Sequence, residues 1–454
     1  MIKKRIKFNP ASKIALGFLC IILIGTFLLC LPISSNQGTW MPFIDALFTS
    51  TSSVCVTGLI VVDTAVYFSL FGQIVIMLLI QIGGIGFITL TSLMFLIIGK
   101  KISYKNRITI QESLNQDSNQ GVVKLVKNII IMVLIIEACG FVCLAPTLIV
   151  NLGWAKGLFS ALFLSISAFC NAGFDVLGTE STMFQNLAPF SQNVLVLLPI
   201  MMLIVIGGIG YLVIFDIGNR FKKDKKKLSF HSKIVLITTA VLIFSGAILF
   251  AIFEWNNPNT IGEMSFFDKI VNSFFQSITP RTAGFSTFDQ ASLTPQSRIA
   301  TNLLMFIGGS PASTAGGIKT TTVVILILCI FKNTNSKGDL VYFNKQISNN
   351  IIQKCFKIFT IAILLICSSV FFCCIIEPAN ISTSAVIFEV ISAISTVGIS
   401  LGITPMLSPL SKMLLILLMY IGRLGVFTIT VAISNKNKPT NDEIEYPDSK
   451  IMVG

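Results

Sequence analysis

"SSVCVTGLI" at residues 52–60 is a short stretch with a single glycine, and it decides the fold because variants of it occur four times in the chain. The other three read "SAFCNAGFD", "ITPRTAGFS" and "AISTVGISL". Aligned on one glycine, the stretches place it at Gly58, Gly173, Gly284 and Gly398, at intervals of 115, 111 and 114 residues. A nearly fixed period of this kind indicates an internal repeat.

A second marker keeps register with the first. "IGGIGF" begins at Ile82, and its counterparts "IGGIGY", "IGGSPA" and "IGRLGV" begin at Ile206, Ile307 and Ile421. The offset from the aligned glycine to this marker is 24, 33, 23 and 23 residues in the four repeats, so only the second repeat has an enlarged loop. Two markers in register four times over indicate four copies of one structural unit.

The composition is typical of a polytopic membrane protein. Of the 454 residues, 54% are hydrophobic and 12% are charged, whereas a soluble domain carries about 25% charged residues. The net charge of +13 comes from Lys and Arg in short loops between apolar segments, which is typical of membrane topology rather than of nucleic-acid binding. Segments long enough to span a bilayer lie at 12–32, 70–98, 127–150, 192–215, 233–253, 299–330, 357–376 and 411–433.

A shorter apolar segment lies between the two long ones of each repeat and predicts a re-entrant half-helix. These segments are 42–54, 157–170, 265–279 and 384–395. The predicted fold class is an all-α polytopic membrane protein with four tandem helix–pore-helix–loop–helix repeats in a pseudo-four-fold arrangement around one pore. We expect the repeats at 1–105, 106–220, 221–340 and 341–434, followed by a cytoplasmic C-terminal tail at 435–454.

Lys and Arg residues predict which side of the membrane each loop occupies. They fill the N-terminal "MIKKRIK", the loops "KKISYKNR", "RFKKDKKK" and "FKNTNSKGDLVYFNK" between repeats, and "NKNK" after the last helix. The loops around 33–41, 59–69, 174–190 and 377–388 contain neither residue. We therefore expect both termini in the cytoplasm and the four glycine loops to enter from the outer side.

Four glycine loops suit a cation pathway. Bare backbone at membrane depth is costly unless it lines water or protein, and carbonyl oxygens that meet on one axis can replace the water shell of a cation. Glycine fits because it accepts a positive φ, and Thr57, Thr282 and Thr396 beside the glycines add further oxygens. The alternative is tight helix packing by small residues, which explains one loop better than four in period.

These motifs resemble the TrkH/KtrB/HKT superfamily of potassium transporters, and most of all its KtrB-type subunits. The resemblance rests on "VTG" at 56–58, "NAGFD" at 171–175, "PRTAGF" at 280–285, "STVG" at 395–398, "GGSPASTAGG" at 308–317 and "GRLG" at 422–425. It implies a potassium-channel-like fold in a bacterial plasma membrane, and a homodimer that takes up potassium with a cytoplasmic nucleotide-binding ring of KtrA (RCK) type as partner. It also implies that K⁺ binds only at the carbonyls of a selectivity filter, formed by Val56, Thr57, Gly58, Asn171, Ala172, Gly173, Thr282, Ala283, Gly284, Thr396, Val397 and Gly398.

The expected ligands are ions alone. No covalently bound cofactor is expected, and the chain has no GxGxxG fingerprint between a strand and a helix, so nucleotide control would come through the partner. Potassium is the expected transported ion, and a role for sodium as transported or coupling ion stays open. Each loop has one glycine where a tetrameric potassium channel has two, so we expect a less sharp discrimination between potassium and sodium.

"FIGGSPASTAGGIKTTT" at 306–322 interrupts an apolar segment with residues that a helix interior does not hold well. We expect the inner helix to run on through "IGGIGF" and "IGGIGY" in the first two repeats and to break here in the third. The resemblance makes this break an intramembrane gating loop below the filter, whereas the alternative is a kinked helix with a packing role. The gating-loop residues are Gly308, Gly309, Ser310, Pro311, Ala312, Ser313, Thr314, Ala315, Gly316, Gly317 and, at cavity depth or just beyond, Lys319.

Two charged residues stand out near the predicted pore. Arg423 lies 13 residues before Lys436, which is about 20 Å along a helix, and at that depth it is expected to face the cavity. We predict that it is a barrier to permeation beside the gating loop; the alternative is a structural ion pair with Glu137 or Asp216. Asp175, just after the second filter glycine, either draws cations to the outer mouth or is an ordinary loop carboxylate.

Other classes of function fit the sequence less well. A secondary transporter for sodium, another monovalent cation or a solute would show carboxylates near the midplane and usually a two-fold repeat. A membrane enzyme would need clustered His, Asp or Glu, and the chain has a single histidine. A structural or adaptor protein has no need of four glycine loops. We therefore expect a transporter that is not an enzyme, in contact with lipid and not with nucleic acid.

Overall fold

The computed structural model describes residues 10–86, 122–220, 227–331, 340–342 and 345–425. The predicted C-terminal tail and the boundary between the first two repeats lie outside the described residues, as do most of the basic loops that set the predicted orientation. The exact repeat boundaries and the orientation therefore stay predictions.

Helices make up most of the described chain, as predicted. One small element was not expected: a two-stranded antiparallel hairpin of β1 (Leu340–Tyr342) and β2 (Lys345–Ile347). The helices are α1 (Pro10–Cys30), α2 (Phe43–Val54), α3 (Thr64–Tyr67), α4 (Leu70–Ile85), α5 (Val122–Leu152), α6 (Trp154–Cys170), α7 (Val194–Ile209), α8 (Tyr211–Arg220), α9 (Phe230–Glu254), α10 (Phe266–Ile278), α11 (Pro295–Phe306), α12 (Thr320–Phe331), α13 (Asn349–Ile376), α14 (Thr383–Ile394) and α15 (Pro409–Leu424).

The first helix of each repeat is long and apolar, and we call α1, α5, α9 and α13 the outer helices. Each is long and apolar enough to cross a membrane, and most of its apolar surface faces away from the rest of the protein. The short helices α2, α6, α10 and α14 that follow are the pore helices. They have 12, 17, 13 and 12 residues, so the four predicted half-helices are confirmed.

The inner helices, α4, α7, α11 and α15, each begin at a side-chain cap that accepts a hydrogen bond from a backbone N–H of the first turn. Two of these caps are tied to the preceding outer helix. Glu254 accepts hydrogen bonds from Thr294, and Glu377 accepts them from Ser408. These carboxylates fix the start of the inner helix to the end of the outer helix in repeats three and four. The four caps are Ser69, Asn193, Thr294 and Ser408.

The expectation that the inner helices of repeats one and two run on through "IGGIGF" and "IGGIGY" is wrong. α4 and α7 end before Gly86 and Gly210, whose φ values of 90° and 101° lie outside the helical region. After this break α8 leaves α7 at an angle of 99°. In repeat four α15 ends in the same way before Gly425, with φ 82°. The depth predicted for Arg423 assumed one continuous helix from Arg423 to Lys436. The break at Gly425 shows that this segment is not one helix, and Lys436 lies outside the described residues.

In each of repeats one to three, a glycine of the outer helix, a serine of the pore helix and a leucine of the inner helix pack together and join the three helices, which we call layers. The serine of the pore helix donates its hydroxyl to a carbonyl of the outer helix at 2.6 or 2.7 Å. A Cβ on the outer-helix glycine would overlap that hydroxyl, so the layers close only around glycine. The three sets are Gly25, Ser50 and Leu79; Gly140, Ser165 and Leu203; and Gly246, Ser277 and Leu304.

The four repeats close into a ring. Each inner helix packs against the pore helix of the next repeat: α4 against α6, α7 against α10, α11 against α14, and α15 back against α2. An ion pair of 2.8 Å between Lys412 Nζ on α15 and Asp45 Oδ1 on α2 joins the last repeat to the first. The predicted pseudo-four-fold arrangement is confirmed, and the loops after the pore helices meet at its centre.

Candidate functional site

The four aligned glycines share one backbone conformation. Gly58, Gly173, Gly284 and Gly398 have φ values of 96°, 71°, 79° and 91°, a region that residues with a side chain rarely adopt. The residue two positions earlier is also left-handed in every loop, so each loop bends twice in the same way. These earlier residues are Val56 (57°), Asn171 (61°), Thr282 (70°) and Thr396 (50°).

The same glycines contact one another's loops in cyclic order, and we call the four together the glycine ring. A Cβ on Gly58 would lie 2.5 Å from the carbonyl oxygen of Ala172, the residue before the next ring glycine. The pattern repeats around the ring, since each glycine faces the carbonyl that precedes the following glycine. The remaining pairs are Gly173 with Ala283 (2.8 Å), Gly284 with Val397 (2.6 Å) and Gly398 with Thr57.

Hydroxyl groups at the C-terminal ends of the pore helices hold the ring loops. Ser52 and Ser392 Oγ each accept a hydrogen bond of 3.1 Å from the N–H of the ring glycine in their own loop. Ser167 Oγ and Thr279 Oγ1 instead donate to the carbonyl one residue after the ring glycine, at 2.7 and 2.5 Å. The sequence reasoning missed these residues, although a serine six positions before the glycine recurs in repeats one, two and four.

Two of the predicted filter threonines have buried hydroxyl groups. Thr57 and Thr396 are fully buried, and within the described residues their Oγ1 atoms have no hydrogen-bond partner. A buried hydroxyl without a partner is costly, and an ion or water at the ring would satisfy it. The described residues contain no cluster of His, Cys, Asp or Glu side chains that could hold a metal ion, so the ring offers backbone and hydroxyl oxygens.

The glycines of the second marker allow the inner helices to reach the pore helices. A Cβ on Gly83, Gly207 or Gly422 would strike the carbonyl that lies four residues before the ring glycine of the same repeat. Glycine at these positions lets the backbone of the inner helix pack against the C-terminal end of the pore helix. This close approach explains why the second marker keeps register with the first.

In the third repeat the chain between α11 and α12 forms a closed loop, the 308–319 loop. The two chain segments at the ends of this loop, 307–309 and 318–320, form its neck. They are hydrogen-bonded to each other, because Gly308 N donates to Ile318 O at 3.0 Å and Thr320 N donates to Gly309 O at 3.1 Å. Ser310 Oγ and Thr320 Oγ1 are 3.2 Å apart across the same neck. The break predicted for this segment is therefore confirmed, and it has a defined structure rather than a simple kink.

The 308–319 loop lies against the second repeat. Ser310 N donates to Gly208 O at 3.0 Å, and Thr314 N donates to Gly207 O at 3.3 Å. The hydroxyl of Thr314 donates to Phe169 O at the end of the pore helix α6, at 3.2 Å. The first two bonds occupy carbonyls at the end of α7 that its break leaves without a helical partner, and the third occupies a carbonyl at the end of α6.

The far side of the 308–319 loop reaches the fourth repeat and the glycine ring. A Cβ on Gly316 would strike the hydroxyl of Thr396, and one on Gly317 would lie 3.3 Å from Ser395 O. Lys319 Nζ donates to Ala315 O at 2.7 Å, so the predicted cavity lysine bonds to its own loop. The loop thus extends from repeat two to repeat four on the side of the ring where the inner helices end.

Arg423 bonds to backbone carbonyls and not to a carboxylate. Its guanidinium donates to Thr314 O in the 308–319 loop and to Gly83 O and Gly84 O at the end of α4. The two acids considered as partners are engaged elsewhere. Glu137 accepts from Gln81 Nε2 at 3.0 Å, and Asp216 accepts from Ser229 N at 2.8 Å. The ion-pair alternative is therefore wrong for the described structure, and the predicted position beside the loop is correct.

Replacing Arg423 with alanine is expected to raise ion flux severalfold. The change removes a positive charge from a site of low dielectric beside the ring and releases the 308–319 loop from α4. The matched control is Arg298→Ala, since Arg298 also donates to backbone carbonyls but in a loop away from the ring. Flux into proteoliposomes measures both variants, and an unchanged flux in folded Arg423→Ala protein would exclude the barrier role.

Two carboxylates lie near each other beyond the ring, where the second loop leaves it. Asp175 is partly buried, and its Oδ1 accepts from Leu177 N at 3.0 Å. Burial raises the pKa of Asp175 to about 7, and the nearby carboxylate of Asp63 adds to the rise. Asp63 itself accepts hydrogen bonds from the backbone N–H of Ala65, Val66 and Phe184, so it has a structural task.

Comparison with known proteins gives matches along nearly the whole chain. The TrkH family of cation transport proteins matches residues 9–443. "Potassium/sodium uptake protein NtpJ" of Enterococcus hirae is 38% identical over 458 residues, which cover 100% of each chain. "Ktr system potassium uptake protein B" of Bacillus subtilis is 39% identical over 453 residues, which cover 99% of this chain and 98% of that one. The crystal structure of the potassium transporter TrkH from Vibrio parahaemolyticus matches with a TM-score of 0.70 over 96% of this chain and 87% of that one; at 17% identity it supports the fold alone.

Proposed function

Since the chain belongs to the TrkH family of cation transport proteins, we propose that it takes up potassium through a pore whose selective part is the glycine ring. The observation that carries this proposal is the cyclic contact of each ring glycine with the carbonyl before the next one. Four loops of one chain thereby bring backbone oxygens to one axis, which is how a protein replaces the water shell of a potassium ion. The names of the two relatives, for potassium uptake and for potassium and sodium uptake, agree with it.

The pore helices assist the ion at the ring. Their C-terminal ends lead directly into the ring loops, and the C-terminus of a helix carries a partial negative charge. This charge favours a cation at the ring without a buried carboxylate that would hold it tightly. Sodium is the second candidate ion, because each loop offers a single ring glycine and one relative is named for both ions.

In this proposal the 308–319 loop is the gate. It extends from the second repeat to the fourth on one side of the ring, where an ion that leaves the ring has to pass. Arg423 holds the loop to α4 and adds a positive charge that slows cations. Opening requires that the loop withdraw from the carbonyls to which it is hydrogen-bonded.

The proposal extends to partners and setting. The chain acts as a homodimer in a bacterial plasma membrane, with both termini in the cytoplasm and a nucleotide-binding ring of KtrA type bound on that side. Its support is the distribution of Lys and Arg along the sequence and the name of one relative, which describes it as protein B of a Ktr system. Any nucleotide acts through the partner, since nothing in the chain matches a nucleotide-binding fingerprint.

Growth of a bacterium that lacks its own potassium uptake tests the proposed function. The chain is expressed with and without a KtrA-type partner, and growth is followed at low potassium with and without sodium in the medium. We expect growth at potassium concentrations that the empty vector does not support, and faster growth with the partner. A chain that is inserted in the membrane but never rescues growth would contradict potassium uptake, and rescue only when sodium is present would assign sodium a coupling role.

Potassium uptake is expected to fall as the external pH falls from 8 to 6. The pKa of Asp175 is raised to about 7, so its carboxylate is charged above that pH and neutral below it, and only the charged form draws cations to the mouth. Asp175→Asn should give low uptake at both pH values. The control Glu180→Gln, which changes an exposed carboxylate of the same loop, should keep the pH dependence. Uptake that does not change with pH in the wild type would leave Asp175 an ordinary loop residue.

A further inference from the structure

We infer that Tyr211 is a second positioning residue of the closed gate, which acts together with Arg423. Tyr211 follows the break at Gly210, and its side chain is only 3% exposed. Its backbone N–H and its side-chain hydroxyl each donate one hydrogen bond to another repeat. The backbone N–H donates to Ala312 O in the 308–319 loop at 2.9 Å, and the hydroxyl donates to Gly84 O in the first repeat at 3.1 Å.

The two bonds of Tyr211 complete a closed circuit of hydrogen bonds next to the glycine ring. Arg423, in the fourth repeat, donates to Gly84 O at 3.4 Å, so one carbonyl receives both side chains. Arg423 also donates to Thr314 O, while Tyr211 holds Ala312 two residues earlier in the same loop. The circuit therefore runs from repeat four to repeat one, then to repeat two, then to the loop of repeat three, and back to repeat four. Two side chains join all four repeats.

The break in the second inner helix is what places Tyr211 there. Because α8 leaves α7 at 99°, the first residue of α8 lies beside the 308–319 loop instead of further along the axis of α7. A Cβ on Gly210 would lie 2.6 Å from Pro311 O, which shows how closely the break and the loop are packed. The loop is bent to meet it, since Ala312 has a φ of 55°. A straight α7 would leave Ala312 O without its donor.

The hydroxyl of Tyr211 therefore stabilises the closed arrangement without touching the ring. If the 308–319 loop withdraws, Ala312 O must leave Tyr211 N, and the bond from the hydroxyl to Gly84 O holds Tyr211 where that N–H meets the loop. Removal of the hydroxyl alone weakens the closed state and leaves the packing of the aromatic ring in place. The inference rests on the proposed role of the 308–319 loop as the gate of a potassium pore.

The test compares Tyr211→Phe with Tyr420→Phe in potassium flux into proteoliposomes without a partner. Tyr420 is a matched control because its hydroxyl also donates to a backbone carbonyl, Ala15 O at 2.7 Å, but this bond joins α15 to α1 and is not part of the circuit at the 308–319 loop. We expect Tyr211→Phe to raise flux about fivefold, the effect of one lost hydrogen bond, and Tyr420→Phe to leave it unchanged. Melting temperatures and the ratio of potassium to sodium flux are measured for both variants.

A double variant separates a gate role from a general loosening of the fold. If Tyr211 and Arg423 hold one closed circuit, then Tyr211→Phe should add little to the flux of Arg423→Ala, and the ion selectivity should not change. Unchanged or lower flux in folded Tyr211→Phe, an equal rise in Tyr420→Phe, or effects that multiply in the double variant would each overturn the inference. A wild-type protein that carries no potassium, alone or with a partner, would instead overturn the proposed function, and the inference would fall with it.

Discussion

Replacing Gly398 with serine is expected to lower potassium uptake by about tenfold or more and to reduce its selectivity over sodium, because the new side chain would collide with the backbone of the neighbouring ring loop and displace its carbonyls. Gly398 has a φ of 91°, and a Cβ there would strike Thr57 O and lie 2.7 Å from the Cα of Gly58. The chain must then move the carbonyls of two loops at once. Uptake of potassium and sodium by cells that express Gly398→Ser measures the effect.

The matched control is Gly402→Ser in the same repeat. Gly402 has a φ of 85°, so the backbone strain is similar, but no atom lies within 4 Å of the position of its Cβ. We expect this control to keep potassium uptake and selectivity, which separates the ring contact from backbone strain. Equal losses in the two variants would mean that strain alone, and not the ring, explains the result. Wild-type uptake and selectivity in Gly398→Ser would exclude this glycine from the filter.

Deletion of residues 310–317 is expected to raise potassium flux severalfold and to weaken its dependence on a cytoplasmic partner. The deletion is well suited to this fold because the two ends already meet. Gly308 N is hydrogen-bonded to Ile318 O, and the Cα of Gly308 lies 3.2 Å from the position of a Cβ on Gly317. It removes Ser310 and Thr314, which hold the loop to repeat two.

Flux in proteoliposomes, with and without the partner ring, measures the deletion. The control replaces Ser181 and Thr182 with alanine in the loop after α6, whose hydroxyls bond only within that loop. The control should behave as wild type. Equal flux in wild type and deletion, with control by the partner intact, would show that the 308–319 loop is a packing element and that the gate lies elsewhere.

The glycine loops and pore helices could be predicted from the sequence because they recur. Gly58, Gly173, Gly284 and Gly398 follow one period, and repetition distinguishes a required glycine from an incidental one. The half-helices followed from their length, since a segment too short to span a bilayer must turn back. In both cases the physical requirement is local and therefore leaves its pattern in the sequence.

The breaks after "IGGIG" could not be predicted in the same way. Gly86 and Gly210 lie in apolar stretches that continue a helix by composition, but in the fold both have a positive φ, and a Cβ on Gly210 would lie 2.6 Å from Pro311 O in the 308–319 loop. A glycine inside an apolar segment is compatible with a continuous helix and with a helix that ends there. The decision is made by tertiary contacts that a single segment does not contain.

The hydrogen-bond partners of Arg423 could not be predicted from the sequence either. A buried arginine usually forms an ion pair with a carboxylate, and Glu137 and Asp216 were the candidate partners. The structure instead gives it carbonyls that the end of α4 and the 308–319 loop leave free, more than 100 residues away along the chain. Unpaired carbonyls are created by helix breaks, so the ligands of Arg423 become visible only once the breaks of the inner helices are known.

Anomalous scattering from Rb⁺, which substitutes for potassium, tests the central claim most directly. The purified protein is crystallised in rubidium and, separately, in sodium, and anomalous maps are compared. We expect a peak on the axis of the glycine ring, bounded by the carbonyls of Thr57, Ala172, Ala283 and Val397, in rubidium only. Absence of a peak at the ring together with a strong peak elsewhere in the membrane-spanning part would contradict the account, because the ions would then pass by another route.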